Sequence, residues 1–138
     1  MMRIVLDTNC LIQIISPHGK YHDVWLSLVD GQNILCISNE IIDEYVEILE
    51  RLFNHNLAEA VVKTIVNSPF VESVTPFYKF ELIKADPDDN KFVDCAIAAN
   101  ARYIVSNDRH YDVLRNIKFP RVEVLSLIDF TKIIKSTF

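Results

Sequence analysis

Two aspartates follow apolar runs that have the character of buried strands. Asp7 comes directly after 3–6, a run without polar alternation, which is typical of a parallel strand covered on both faces. Asp108 stands in a similar position after the run 103–106. Because ligands of open parallel sheets bind at the carboxyl ends of the strands, we expect both carboxylates at one edge of a sheet.

Three further acids are predicted to approach this edge from helices. Glu44 lies in a helix that Ser38 caps, at the border of its apolar face. Asp89 stands at the start of a helix rich in small residues, and Asp94 follows within it among apolar neighbours, where an unpaired acid is costly. The candidate catalytic and metal-binding residues are therefore Asp7, Glu44, Asp89, Asp94 and Asp108.

Carboxylates that converge in this way predict a divalent cation. Like charges at close range raise one another's pKa, so such a group needs a counter-charge to stay ionised. Mg²⁺ and Mn²⁺ prefer carboxylate and water oxygens as ligands. A cation in this place can activate water and stabilise the charge that develops on a phosphodiester.

Each acid also has an ordinary structural explanation. An aspartate after a strand is a common turn former, and Asp88 and Asp89 before a helix favour the positive end of its dipole. Glu44 by itself could be a solvated surface residue. The joint placement of the acids is what favours a site over these alternatives.

Composition predicts one packed domain, 1–138. Half of the 138 residues are hydrophobic and only two are glycine, while the net charge of −5 argues against a generally basic nucleic-acid binder. The three cysteines are far apart and lack a Cys-x-x-Cys pair, so we expect core residues of a reduced, cytoplasmic protein. Neither a secretory signal nor an apolar run of about 18 residues is present, so no membrane contact is expected.

Strand-like and helix-like segments alternate along the chain. Strands are predicted at 3–6, 34–37, 71–74, 103–106 and 122–124. Helices are predicted at 10–15 with Asn9 as its cap, at 21–29, from 39 to 53, at 57–66, from 90 to 99, at 111–116 and at 126–134. Segment 76–87 fits neither period. The alternation predicts an α/β/α sandwich on a parallel sheet.

Four motifs together resemble those of the PIN domain family. They are Ile4-Val5-Leu6-Asp7-Thr8-Asn9, Ser38 with Glu44, Asp86-Pro87-Asp88-Asp89-Asn90, and Tyr103-Ile104-Val105-Ser106-Asn107-Asp108. The chain is similar to the VapC toxins, the PIN proteins of bacterial and archaeal toxin–antitoxin pairs, over nearly its whole length. The resemblance implies a three-layer α/β/α sandwich with a mostly parallel five-stranded sheet, and a Mg²⁺- or Mn²⁺-dependent ribonuclease with an acidic cluster.

The resemblance also implies roles for individual acids. Asp7, Glu44 and Asp108 match the first, second and last acids of the family. The remaining acid has two candidates, because Asp89 fits an Asp-Pro-x-Asp pattern and Asp94 fits the Asp-x-x-Ile-Ala-Ala form of typical VapC toxins. Both stay candidates at this point.

The late motif departs from the usual Thr-Gly-Asp of the family. Ser106 keeps a hydroxyl, whereas Asn107 replaces a glycine and raises the question of its backbone conformation. Phosphate contacts need only local positive charge. A basic rim is predicted from Arg102, Arg109, His110, Arg115 and Lys118.

The resemblance implies an RNA substrate and an antitoxin protein as partners. Apolar residues in the helices between 21 and 66 additionally favour a homodimer. One alternative is a catalytically silent PIN-type module that only binds RNA or protein. Another is phosphoryl transfer through an aspartyl intermediate, which Asp7-Thr8-Asn9 disfavours because it lacks the second acid of an Asp-x-Asp motif.

Overall fold

A fully parallel five-stranded sheet forms the centre of the protein. The computed structural model describes residues 1–136, so the last two residues of the predicted domain lie outside the described residues. The strands β1 to β5 are Arg3–Leu6, Ile34–Ile37, Glu72–Ser73, Tyr103–Val105 and Val124–Leu125. Their order across the sheet is β3-β2-β1-β4-β5, and every pairing is parallel. The carboxyl ends of all five strands therefore lie at one edge.

Helices cover the sheet. The α-helices α1 to α6 are Thr8–Ile14, His22–Val29, Asn39–Leu52, His55–Val66, Asn90–Ala99 and Leu127–Ser136, and 3-10 helices occupy Pro87–Asp89 and Arg109–Asn116. The connections through α1 to α4 run outward from β1 to β3, whereas α5 lies in the connection that returns to β4. With right-handed crossovers, these two sets cover opposite faces. The predicted three-layer α/β sandwich is confirmed.

The central strand β1 explains why the first apolar run shows no alternation. It pairs with β2 on one side and β4 on the other, and Ile4, Val5 and Leu6 have no exposed surface. Helix α5 packs against β1, β2 and β4 through its small residues. A strand buried on both faces needs apolar side chains at every position.

Helix α1 begins at Thr8, two residues earlier than a helix capped by Asn9 would begin. The N-cap residue is Asp7, whose backbone is extended at φ −63° and ψ 146°. The carbonyl oxygen of Asp7 accepts hydrogen bonds from the backbone N–H groups of Cys10 and Leu11, both at 3.0 Å. The predicted Asn9 cap is therefore wrong, and Asp7 ends the strand and starts the helix at once.

The predicted bounds of other elements also differ from the structure. The edge strands β3 and β5 are short, and β5 begins at Val124 instead of 122. Strands at the two edges have a single neighbour, so fewer backbone hydrogen bonds define them. The helix predicted at 111–116 is a 3-10 helix that begins at Arg109, where the side chain of Asp108 accepts a hydrogen bond from the backbone N–H of His110. None of the helices within 1–136 combines the length and apolar character that a membrane crossing requires.

Side chains of α5 hold segment 76–86, which forms neither helix nor strand. The side chain of Asn90 donates to the carbonyl oxygen of Ile83 and accepts from its N–H, both at 2.8 Å. One turn further along, Asp94 Oδ1 accepts a hydrogen bond from the N–H of Phe80 at 3.2 Å. Backbone groups without a strand partner are thus satisfied by side chains, and the chain is guided towards Asp89.

We expect Asn90→Ala to loosen this segment. The substitution leaves both backbone groups of the buried Ile83 without partners, which should lower the free energy of unfolding by about 1–3 kcal/mol. Amide hydrogen exchange should become faster at Ile83, and Asn56→Ala at an exposed position of α4 serves as the matched control. Unchanged protection of the Ile83 amide would contradict this role of Asn90.

Candidate metal centre

At the carboxyl edge of the sheet, the hydroxyl of Ser106 links the side chain of Asp7 to the backbone of Asp108. The hydroxyl of Ser106 donates to Asp7 Oδ2 at 2.7 Å and accepts a hydrogen bond from the N–H of Asp108 at 3.0 Å. Leu6 pairs with Val105 in the sheet, so the residues that follow each strand are neighbours. Asp7 is only 6% exposed, and burial raises the pKa of its carboxyl.

Glu44 reaches the same edge from α3. Its Oε2 accepts a hydrogen bond from the hydroxyl of Thr8, and its Oε1 lies 2.8 Å from Lys91 Nζ. The next residue in α3, the fully buried Tyr45, donates its hydroxyl hydrogen to the carbonyl oxygen of Leu6 and so attaches the helix to the end of β1. The ammonium group of Lys91 neutralises part of the negative charge of this site.

Asp89 is the third acid that faces the cluster, at the end of the 3-10 turn Pro87–Asp89. The residue is 8% exposed, and within residues 1–136 its Oδ2 atom is buried and has no hydrogen-bond partner. Burial raises the pKa of Asp89 to about 6, with contributions from the negative charges of Asp86, Asp7 and Asp108 and a smaller opposing contribution from His110. A buried oxygen without a partner is costly unless a ligand binds it.

Asp94 lies in different surroundings from the other four candidate acids. Asp94 is 7% exposed, and burial raises the pKa of its carboxyl. The carboxylate accepts a hydrogen bond from the N–H of Phe80. The charges that act on it come from Glu40, Lys79 and Glu81, and the acids of the cluster are not among them. Asp94 therefore contacts segment 76–86, whereas Asp89 is close enough to Asp7 and Asp108 for their charges to act on it.

His110 lies among the acids, whereas the sequence predicted it only as part of a basic rim. Its Nδ1 atom lies 3.4 Å from Asp108 Oδ1, 3.5 Å from Asp89 Oδ2 and 3.8 Å from Asp86 Oδ2. The 3-10 turn after Asp108 directs the imidazole back towards these acids. A histidine two residues after a strand-end acid is the signal that could have identified it.

Tyr111 is a second residue that sequence reasoning missed. The side chain has no exposed surface, and among the described residues its hydroxyl has no hydrogen-bond partner. Burial raises its pKa, as do the negative charges of Asp7, Asp89, Asp108 and Glu44 in decreasing order. The phenol is therefore close enough to these acids for their charges to act on it. Nothing in the apolar pattern of the sequence distinguishes Tyr111 from a core residue.

Most of the predicted basic rim lies elsewhere. Arg102 precedes β4 at the opposite edge of the sheet and pairs with Glu123 at 2.6 Å. Arg115 and Lys118 line a separate cavity beside Tyr103. Only Arg109 and His110 of the predicted rim directly follow Asp108, because β4 separates the two edges of the sheet.

A groove gives access to Asp7 and Asp108. Its volume is about 490 Å³, and its walls are Asp7, Asn9, Ile12, Gln13, Leu52, Asn107 and Asp108. Asn107 does not take the left-handed backbone that the usual glycine would allow, and its side chain instead accepts a hydrogen bond from the N–H of Leu127 at the start of α6. Replacing the glycine of the motif thus ties α6 to the site.

The donor set suits a hard divalent cation. Asp7, Glu44, Asp89 and Asp108 supply only oxygen ligands. Burial raises the pKa of Asp7 and Asp89, and the charges of neighbouring acids raise both further. The unpartnered Asp89 oxygen and the unpartnered hydroxyl of Tyr111 both lie at this cluster.

Comparisons with known proteins point to one family. The family model described as PIN domain matches residues 3–110. VapBC2 from Rickettsia felis, solved bound to a DNA fragment from their promoter, is 19% identical, with 91% of this chain and 98% of that chain covered at a TM-score of 0.63. DNA-bound VapBC from Salmonella typhimurium is 19% identical, with 92% and 99% covered at 0.60. The PIN domain endonuclease Utp24 is 17% identical, with 90% and 84% covered at 0.53. A comparison with curated protein sequences finds no match.

Two buried tyrosines provide a matched pair for testing the site. Tyr111→Phe removes a hydroxyl without a partner in residues 1–136, so in chelator we expect stability unchanged or raised by up to about 1 kcal/mol. Tyr45→Phe leaves the Leu6 carbonyl oxygen unsatisfied and should lower stability by about 1–3 kcal/mol. Urea denaturation measures both, and equal losses would show that the Tyr111 hydroxyl has a structural partner.

The raised pKa of Asp89 predicts a pH dependence of stability in chelator. The folded chain holds this proton up to pH about 6, whereas the unfolded chain releases it near 3.8, so the contribution of Asp89 falls as pH rises between these values. Asp89→Asn should therefore gain stability relative to the wild type from pH 4 to pH 7, measured by chemical denaturation at each pH. Parallel curves for the two proteins would contradict the assigned shift.

Proposed function

Since the chain belongs to the PIN domain family, we propose that it is an endoribonuclease that uses Mg²⁺ or Mn²⁺ to hydrolyse phosphodiester bonds of RNA. The observation that carries the proposal is the convergence of Asp7, Glu44, Asp89 and Asp108 at the carboxyl edge of the sheet. Utp24, which shares the fold, is a PIN domain endonuclease. The chemistry of the four acids supports the same class of reaction here.

The residues of this chain hold and orient the reacting groups. Asp7, Asp89 and Asp108 would hold the cation, and Ser106 fixes the Asp7 carboxylate through its hydroxyl. Thr8 and Lys91 fix the two oxygens of Glu44. A bound divalent ion supplies Lewis acidity that activates water and stabilises charge on the phosphate. The positive charge of Lys91 lies at the same edge and can contact a phosphate oxygen.

Local charge supports an RNA substrate despite the net charge of −5. Phosphate contacts depend on groups near the site, and Lys91 and Arg109 supply positive charge beside the acids. The groove beside Asp7 and Asp108 is open to a single strand. The salt dependence of binding should therefore be modest, as few cations take part.

We further propose that an antitoxin protein is the partner of this chain. The motifs of the chain resemble those of VapC toxins, which belong to toxin–antitoxin pairs. The VapBC2 and VapBC structures share its fold. Exposed apolar side chains lie at the ends of α3 and α4, where Leu52, Phe53 and Val66 are 55%, 47% and 51% exposed. Leu52 also lines the groove beside Asp7, so a protein bound there would cover the site.

The homodimer and the cytoplasmic location predicted from the sequence are part of the same proposal. Exposed Leu26 and Val29 on α2 support a subunit contact. The free, buried Cys10, Cys36 and Cys95 suit a reducing compartment.

A catalytically silent PIN-type module is the second candidate. The ion pair between Lys91 and Glu44 favours it, since a built-in ammonium group removes some of the need for a metal. Asp89, with a buried oxygen that no group within 1–136 hydrogen-bonds, favours the metal-dependent enzyme. Calorimetric titration with Mn²⁺ separates the two, because only the enzyme requires the cation.

Asp7→Asn should abolish metal-dependent RNA cleavage and leave the fold intact. Asparagine keeps the shape and the hydrogen bond from Ser106 but removes the charge that holds the cation, so we expect a loss of about a hundredfold or more in rate. Without metal the variant should melt no earlier than the wild type, because repulsion among the acids is relieved.

Asp94→Asn is the matched control for Asp7→Asn. Its side-chain oxygen can still accept the hydrogen bond from Phe80, and the residue lies outside the cluster, so cleavage should persist. Cleavage assays in Mn²⁺ measure the activity of both variants, and thermal melts in chelator measure their stability. An Asp7→Asn protein that melts early yet cleaves normally per folded molecule would refute the catalytic assignment.

A further inference from the structure

His110 brings a nitrogen donor to the edge of the acidic cluster. Its Nδ1 atom and one carboxylate oxygen each from Asp86 and Asp89 lie within 4.8 Å of one another. Asp108 Oδ1 is also 3.4 Å from the same nitrogen. Of the four acids assigned to the metal centre, Asp89 faces both the cluster and this group.

The donors of this group are held in place by the backbone. Asp86 uses Oδ1 to accept a hydrogen bond from the N–H of Asp88, which leaves Oδ2 turned towards His110. Asp108 Oδ1 accepts the backbone N–H of His110 at 2.9 Å and so fixes the start of the turn that carries the imidazole. These contacts position the donors before any ligand binds.

The burial of Asp89 Oδ2 is a second observation at this group. Asp89 is 8% exposed, and its Oδ2 atom is buried without a hydrogen bond in the part of the chain that the structure describes. The 3.5 Å separation from His110 Nδ1 is too long for a good hydrogen bond. Ligands at adjacent and opposite corners of an octahedron with bonds of about 2.1 Å are about 3 and 4 Å apart. The observed separations of His110 Nδ1 from Asp89 Oδ2 and Asp86 Oδ2 are 3.5 Å and 3.8 Å, so binding would require a small shift of these side chains.

We propose that His110 Nδ1, Asp86 and Asp89 form a cation position with one nitrogen ligand, which shares Asp89 with the acidic cluster. The inference rests on the proposed metal-dependent function. Imidazole suits divalent transition metals, whereas Mg²⁺ prefers oxygen and water. The position therefore takes a divalent transition-metal ion, with Mn²⁺ as the probe, and gives this chain a preference for Mn²⁺ over Mg²⁺.

A protonated His110 is the competing explanation. An imidazolium ion among Asp86, Asp89 and Asp108 would balance their charge without any metal. The two explanations differ in one observable, because only a metal ligand places nitrogen in contact with the ion.

Pulsed electron paramagnetic resonance of Mn²⁺ tests the proposal on the full chain. Echo-envelope modulation from a directly bound ¹⁴N nucleus is expected in the wild type and should disappear in His110→Gln. His55→Gln is the matched control, since His55 also lies between two acids, 3.0 Å from Glu50 and 3.3 Å from Glu59, and far from the cluster in the chain. The modulation should survive that change.

Calorimetric titration supplies a second readout. His110→Gln should weaken Mn²⁺ binding by about tenfold and leave Mg²⁺ binding nearly unchanged. Mn²⁺ that binds the wild type with oxygen ligands alone would overturn the role of His110 and leave the proposed function standing. A wild type that binds no Mn²⁺ would overturn both. Modulation that survives in His110→Gln would also refute the assignment.

Discussion

The arrangement of the site depends on one constraint, which is that several carboxylates are buried close together at the carboxyl edge of the sheet. Asp7 is 6% exposed and Asp89 is 8% exposed, and each raises the pKa of other groups nearby. Burial of this kind lowers the stability of the chain when no positive charge is present. A cluster that costs stability is expected where a ligand, and not the fold, requires it.

The chain offsets this repulsion in part with its own groups. Ser106 gives Asp7 a hydrogen bond, and Lys91 gives Glu44 an ammonium partner. His110 stands among Asp86, Asp89 and Asp108. Each of these groups can also serve the site, since a hydroxyl orients a ligand, an ammonium group contacts phosphate and an imidazole binds metal. The residues that offset the repulsion among the acids are therefore the same ones that could contact a ligand.

Helix α5 links the backbone framework to the chemistry. Its small residues allow close packing on three strands, and its polar side chains Asn90 and Asp94 hold the segment that leads to Asp89. Lys91 on the same helix reaches Glu44. A single helix thus sets the positions of one acid and of the partner of another, which couples the irregular segment 76–86 to the site.

Local sequence was enough to determine the strand β1, the parallel α/β class and the placement of Asp7, Asp108 and Glu44 near one edge. These follow from apolar runs that end in acids and from helical spacing, both of which act over a few residues. The different surroundings of Asp89 and Asp94 could be seen only in the tertiary structure. Both residues lie near the start of α5, and only packing shows that the Asp94 carboxylate accepts a hydrogen bond from the N–H of Phe80. The 3-10 helix after Asp108 brings His110 and Tyr111 close to acids that are distant in the chain, so local sequence could not identify these two residues. Arg102 of the predicted basic rim lies at the opposite edge of the sheet, because it precedes β4 while the acids follow the strands. Which charges meet across long separations is decided by packing, and a pattern of neighbouring residues does not contain that information.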